Sequence, residues 1–270
     1  MMRRVKSLMS AVLSLACIGA LSPAWGGEAR GITQAIMEAR LSMPVAGRVE
    51  SLQVRQGSRV KAGQELLHLD RDLEALELER RRLQLADDVR LQELKRREAT
   101  LLKQVQDLRE LAQTGGVSRK QLQDETLAWQ AAQSERQALE AAKQRERVDV
   151  KLARTQYARR HLRAPIAGVV TQLDIRPGES VVPHSPLMTV VDVSRVRFMG
   201  TVPAQDAQQL QVGDAVTVEV GPKGEALKRP AKLVYVAPVA DASSGLVEVV
   251  AEFDNSDGRV RPGISGRMVY

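Results

Sequence analysis

PVAGRVESLQVRQGSRVKAGQELLHL, residues 44–69, returns 121 positions later as PIAGVVTQLDIRPGESVVPHSPLMTV, residues 165–190. Pro44 aligns with Pro165, Ala46-Gly47 with Ala167-Gly168, Val49 with Val170, and Leu52 with Leu173. Val54 aligns with Ile175, Arg55 with Arg176, Gly57 with Gly178, Val60 with Val181, and Leu66 with Leu187. Each copy alternates β-branched or leucine residues with polar ones and carries turn glycines, so each predicts a few short strands. Neither copy is long enough to bury a core alone. The two are therefore expected to pack together as one small β-domain.

Between the copies the punctuation nearly vanishes. No proline lies between Pro44 and Pro165, and between Gly63 and Gly168 the only glycines are Gly115 and Gly116. Ala, Leu, Glu, Gln, Lys and Arg dominate, the strongest helix formers. A helix–turn–helix hairpin follows, one arm from about Asp72 to Ala112 and the other from about Ser118 to Arg160. At 1.5 Å rise per residue each arm would reach roughly 60 Å. Leu91, Leu94, Leu101, Val105 and Leu108 recur at coiled-coil spacing, with Glu98 interrupting them. Ala128, Ala131, Ala132, Ala138, Leu139, Ala142, Val148, Leu152 and Ala153 offer the facing seam, and leucine against alanine lets antiparallel helices approach closely. The interleaved acids and bases of ELERRRL and ELKRRE read as a solvated helix face, not a nucleic-acid stripe.

After the second copy, VRFMGTV, AVTVEV, AKLVYVAPV and VEVVAEF alternate between turn signals, with one short helical piece, AQDAQQL, at 204–210. Five or six short strands with glycine-rich turns predict a small antiparallel barrel.

Composition narrows the function. Of 270 residues 27% are charged, the net charge is +7 and the pI about 9.8. Aromatics at 3% argue against an aromatic-lined substrate pocket and against a stacking surface for single-stranded nucleic acid. Residues 1–26 read as a cleavable signal peptide: Arg3, Arg4 and Lys6 precede an apolar run from Leu8 to Leu21 and a small-residue exit at Ala24-Trp25-Gly26. The one cysteine, Cys17, lies inside that segment and reads as an ordinary apolar-run residue rather than a lipid acceptor. Disulfide and Cys–zinc chemistry are then excluded from the mature chain. His68 and His161, with Asp70, fall together at the hairpin base, but two histidines without further obvious ligands do not make a metal centre. His184 is read the same way. No nucleophile–base pair, phosphate loop or paired-carboxylate site is visible, so no catalytic activity and no cofactor are expected.

In this order the segments resemble a known family, the periplasmic adaptor subunits of tripartite efflux pumps, also called membrane fusion proteins of the HlyD/RND type. The resemblance rests on VAGRVESLQVRQGSRVKAGQELLHLD, on RELAQTGGVSRKQLQDE at the hairpin tip, and on DASSGLVEVVAEFDNSDGRVRPGISGRM in the barrel. It implies an elongated α+β fold. A split biotinyl/lipoyl-like β-domain (27–70 with an N-terminal strand, and 162–194) carries a long antiparallel coiled-coil hairpin (71–161), and a β-barrel (195–270) follows. It also implies a periplasmic ring, commonly hexameric, between an inner-membrane transporter and a TolC-like outer-membrane channel. The hairpin tip would meet the channel through Arg109, Leu111, Gly115, Gly116 and Ser118. In the drug-efflux branch the tip carries an Arg, then a Leu, then a Ser; Leu111 and Ser118 hold the last two places here. The arginine place is held by Asp107, and Arg109, two positions on, is rotated from it by about 200°. Ser118 also suits the N-cap of the second arm.

The family's usual membrane-proximal domain is expected to be absent or reduced, since few residues precede the first copy and the chain stops at Tyr270. Metabolic lipoyl domains carry their cofactor on a lysine at a hairpin tip; here the helices are inserted at that tip, and Lys61 reads as an exposed turn residue. The barrel motif points to a proton-driven transporter of the resistance–nodulation–division type. The alternatives are an ABC-type exporter or type I secretion system, and a purely structural periplasmic coiled coil.

Overall fold

A computed structural model describes residues 26–222 and 225–270. The expected signal peptide, but for Gly26, and Cys17 with it, lies outside the described residues. The chain divides into two units, one of residues up to Gln34 with Arg195–Tyr270, the other Ala35–Ser194.

In the second unit the repeat is a repeat of structure. Strands β2 (Gly47–Leu52), β3 (Arg59–Val60) and β4 (Glu65–Leu69) recur 121 residues on as β6 (Gly168–Leu173), β7 (Ser180–Val181) and the start of β8 (Pro186–Pro203). The pairing swaps between copies: β2 takes β7 and β3 takes β6. Irregularities recur too, with register shifts between Val49 and Ser51 in one copy and Val170 and Gln172 in the other. Gly63 lies at φ 80, and its counterpart His184 is the one described non-glycine residue with positive φ, at 63. A glycine-type turn has thus been kept where the glycine has not. Each copy thus completes the other's sheet. Their shared core holds Met43, Val49, Leu66, Leu67, Leu69, Val170, Met188 and Val190.

The helices leave after β4 and return at β5 (His161–Arg163), which pairs with β4. The first arm is not the single helix that composition predicts. It is α1 (Asp72–Ala86) and α2 (Val89–Gln113), broken at Asp87 with ψ 98 and Asp88 with ψ 8. Aspartate competes for backbone donors and is a weak helix former, and here two stand together. The carbonyls freed at the end of α1 are met from α3 (Arg119–Ala158). Lys143 Nζ donates to Gln84 O at 3.0 Å and Leu85 O at 3.5 Å while pairing with Glu146 at 2.7 Å. Arg81–Asp149, Lys95–Glu140 and Arg90–Glu135 also link the arms. Leu78, Leu94, Val105, Ala132 and Ala153 are buried. Glu98, the interruption in the leucine series, is paired with Arg136. Val148 and Leu152, expected in the facing seam, are 65% and 57% exposed. From Leu139 the covered positions of α3 instead run through Glu146 and Val150 to Ala153, which turns Val148 and Leu152 outward.

In the first unit six strands follow the order β1 (Glu28–Ser42), β12 (Ser265–Val269), β9 (Ala215–Val220), β10 (Leu227–Val236), β11 (Leu246–Asp254) and β8, and β1 pairs again with β8, closing the barrel. Residues 28–34 therefore belong with the barrel and not with the first half-motif, because Glu28–Ile32 pair with Ser265–Val269. The barrel's helix, α4 (Ala204–Ala207), is shorter than the expected 204–210. Phe198, Val218, Leu233, Val249, Ala251 and Met268 fill the interior. Between β10 and β11, Asp241 accepts hydrogen bonds from the hydroxyl and N–H groups of Ser243 and Ser244, which holds its carboxyl down at about 2.

Candidate functional site

The turn joining α2 to α3 is built almost wholly from its own backbone. Gly116 N–H donates to Leu111 O at 3.0 Å and Gly115 N–H to Ala112 O at 3.3 Å. This is a Schellman closure, and its left-handed position is Gly115 at φ 78, where a side chain would be strained. Thr114 Oγ1 adds a bond to Leu111 O at 2.9 Å. Two residues beyond Gly116, Ser118 Oγ accepts from Gln121 N–H at 3.1 Å and starts α3. The serine has the capping geometry that its place in the sequence suggests.

The tip therefore satisfies its polar backbone internally and leaves its side chains free. Asp107, Arg109, Leu111, Gly115, Gly116 and Ser118 are all exposed, and Leu111 is half out of its helix at 50%. Among the described residues neither Asp107 nor Arg109 forms an ion pair. Asp107 and Leu111, four residues apart, lie on one face of α2, while Arg109 points to another. Such an arrangement can do no chemistry, but it can offer a leucine, an acid and an unencumbered turn to another protein.

At the opposite end of the helices the two sequence-flagged histidines do meet. His68 and His161 are cross-strand partners with ring centroids 5.9 Å apart. Asp70 does not join them; it is exposed, and its carboxylate accepts from Asp72 N–H at 3.5 Å. The groups that do join are ones the sequence reading did not single out. Glu65 Oε2 lies 2.9 Å from His161 Nδ1, and Arg71 Nη1 lies 3.2 Å from both ring nitrogens of His161. Glu50 Oε2 lies 3.2 Å from His68 Nδ1. Beside them Arg160, leaving α3, donates to Glu74 of α1 at 2.6 Å and to Ala46 O at 3.0 Å. A guanidinium against the imidazole is hostile to a cation, and among the described residues no His/Cys/Asp/Glu group of metal-binding geometry occurs. The one sequence signal for this cluster is negative. Glu65 and His68 align with Pro186 and Thr189 of the second copy, so the repeat breaks where the helices are rooted. Among the described residues, no helix is long and apolar enough to cross a membrane.

Two protein families match the chain. The CzcB-like, barrel-sandwich hybrid domain covers residues 37–192, and the CusB-like, beta-barrel domain covers 199–270. An uncharacterized protein of Haemophilus influenzae is 27% identical over 240 residues, 88% of this chain and 55% of that protein. The solvent efflux pump periplasmic linker SrpA of Pseudomonas putida is 28% identical over 248 residues, 87% of this chain and 58% of that one. The chain thus spans little more than half the length of these curated relatives. Among solved structures, MacA from Actinobacillus actinomycetemcomitans shares the fold, with a TM-score of 0.69 at 21% identity over 91% of this chain and 78% of that one.

Proposed function

The chain belongs to the CzcB-like barrel-sandwich hybrid family, a group of membrane fusion proteins that are not enzymes, and from that premise we propose that it is a periplasmic adaptor for efflux. In this reading it links an inner-membrane transporter, of the proton-driven resistance–nodulation–division type, to an outer-membrane channel, acting in a ring of identical subunits. The helical hairpin serves as a coiled coil whose tip touches the channel.

One observation carries the reading: an exposed tip closed by its own backbone, at the far end of two helices rooted in a barrel-sandwich hybrid. A turn that uses no side chain of Asp107, Arg109 or Leu111 to hold its shape leaves those side chains for a partner. The relative from Pseudomonas putida is named a periplasmic linker of a solvent efflux pump, which supports the same role and location. With Asp107 in the place where the drug-efflux branch has arginine, the channel contact would differ in charge. The partner channel would offer a cation or a hydrogen-bond donor opposite Asp107.

Cysteine placed at Thr114 or at Gly116 tests this in cells. Both residues are exposed, and Gly116 has a negative φ. Crosslinking of either variant to an outer-membrane channel is the expected result. Failure with every channel the cell makes, while the variant protein is present at normal levels, would overturn the proposal.

A further inference from the structure

A groove of about 800 Å³ crosses the outer face of the barrel, where β11, β8 and β1 lie side by side. Along β8, Phe198, Gly200 and Val202 are buried, and the alternating Met199 and Thr201 form the floor. One wall is the connection from β10 to β11, and it is preformed. Ala237 N–H donates to Glu248 O and Asp241 N–H to Leu246 O, both at 2.8 Å. Within that wall the Asp241 carboxylate is taken up by Ser243 and Ser244. Val239, held on the same wall, is 77% exposed, and Ile32 on β1 is 44% exposed. Two charges stand in this apolar setting. Glu248 pairs in register with Thr201, and the Arg30 carbonyl lies against Gly200, where a Cβ would come within 3.0 Å of it. Arg30 and Glu248 therefore flank Thr201, two strand spacings or about 10 Å apart along the sheet. Among the described residues neither forms an ion pair, with the other or with any third group. Arg267, the cross-strand neighbour of Arg30, is occupied by Glu28 and Glu219.

We propose that this groove binds short apolar peptides with both termini free, a tripeptide fitting it best. The terminal ammonium meets Glu248, the terminal carboxylate meets Arg30, and apolar side chains lie against Met199, Ile32 and Val239. Charge and length together select this ligand. A ligand with one charge leaves either Glu248 or Arg30 without a counter-ion beside apolar surface. An extended tripeptide spans about 10 Å, the separation of the two strands that carry them, whereas a single amino acid spans about a third of it. The Thr201 hydroxyl, between the two charges, can donate to or accept from a peptide group of the ligand. Strand addition is closed off, because β11, β8 and β1 are each paired along both edges. Side chains alone would then hold the peptide. The site lies wholly within the barrel unit and asks nothing of the adaptor reading, so its failure would leave that reading untouched.

Titration of the whole protein with trivaline, followed by amide chemical shifts, tests the site. Saturable shifts confined to residues 30–32, 199–201 and 237–248 are expected. Acetylating the peptide's amino terminus or amidating its carboxyl terminus should each weaken binding about fivefold, the upper range for an exposed ion pair. Glu248→Gln should weaken free trivaline by the same factor yet leave the acetylated peptide unaffected. Arg30→Gln should do likewise with the amidated one. Both side chains are exposed, so neither substitution disturbs the fold. The absence of saturable shifts in this groove would overturn the proposal. Blocked peptides that bind as tightly as the free one would also overturn it, and would make the groove a plain apolar contact for another protein. Valine alone binding as tightly as trivaline would overturn it too, in favour of a site for one amino acid.

Discussion

Gly31 of β1 and Gly200 of β8 show how one missing methyl group closes the barrel. A Cβ on Gly31 would fall within contact distance of the Met199 carbonyl oxygen, and one on Gly200 would lie 3.0 Å from Arg30 O and 2.6 Å from Phe198. Backbone stands against backbone there, so nothing flexible can yield. Gly31→Ala should therefore cost about 2 kcal/mol through overpacking, read as a lower urea midpoint for the barrel at unchanged slope. Neither glycine stands out in the sequence, because the requirement is created by a strand some 170 residues away. Gly115 and Ser118 were legible for the opposite reason. A left-handed cap and an N-cap are local chemistry, and their partners lie within a few residues.

At the scale of elements, the helix pair was readable from composition and the Gly-Gly break, while the gap between α1 and α2 was not. Asp87-Asp88 lowers helix propensity only mildly. What stabilises the gap is Lys143, more than fifty residues on, bonded to Gln84 O and Leu85 O. Lys143→Met removes those bonds and should cost about 1.5–3 kcal/mol, the range for hydrogen bonds to charged groups. Hydrogen exchange should localise that loss to residues 80–90. On α3 one heptad series stays covered throughout, Ala132, Leu139, Glu146 and Ala153, and Leu152 is exposed with Ala131 and Ala138, the positions in phase with it. At the root, sequence reasoning found the two histidines by their position at the hairpin base. It missed Glu65 and Arg71, since charged residues on a β-strand and before a helix look like solvated surface until the fold surrounds them.

For the molecule as a whole, the repeat at a separation of 121 was the strongest signal, and it reports a physical necessity: each copy supplies strands that the other lacks. The allocation of β1 was less legible, because one continuous strand serves both units and no turn marks its passage at Gln34. Each unit has its own core. Phe198→Ala, at a fully buried barrel position, should cost about 3–5 kcal/mol. It should split thermal unfolding into two steps, the barrel melting first while the far-UV helical signal persists. A single transition that lowers helix and barrel signals together would contradict this.

The pairing of Glu28 with Val269 also sets a timetable. As the chain emerges from its N-terminal end, residues 35–194 are complete long before β12 exists, and they can form their core first. The barrel must wait, its first strand unpartnered on one side until β12 is released. That delay would be severe for an unstructured loop of such length, but the early-folding unit shortens it by fixing residues 35 and 194 in place. The order of synthesis and the order of assembly thus agree everywhere except at one seam, and that seam is where premature release would leave an open edge.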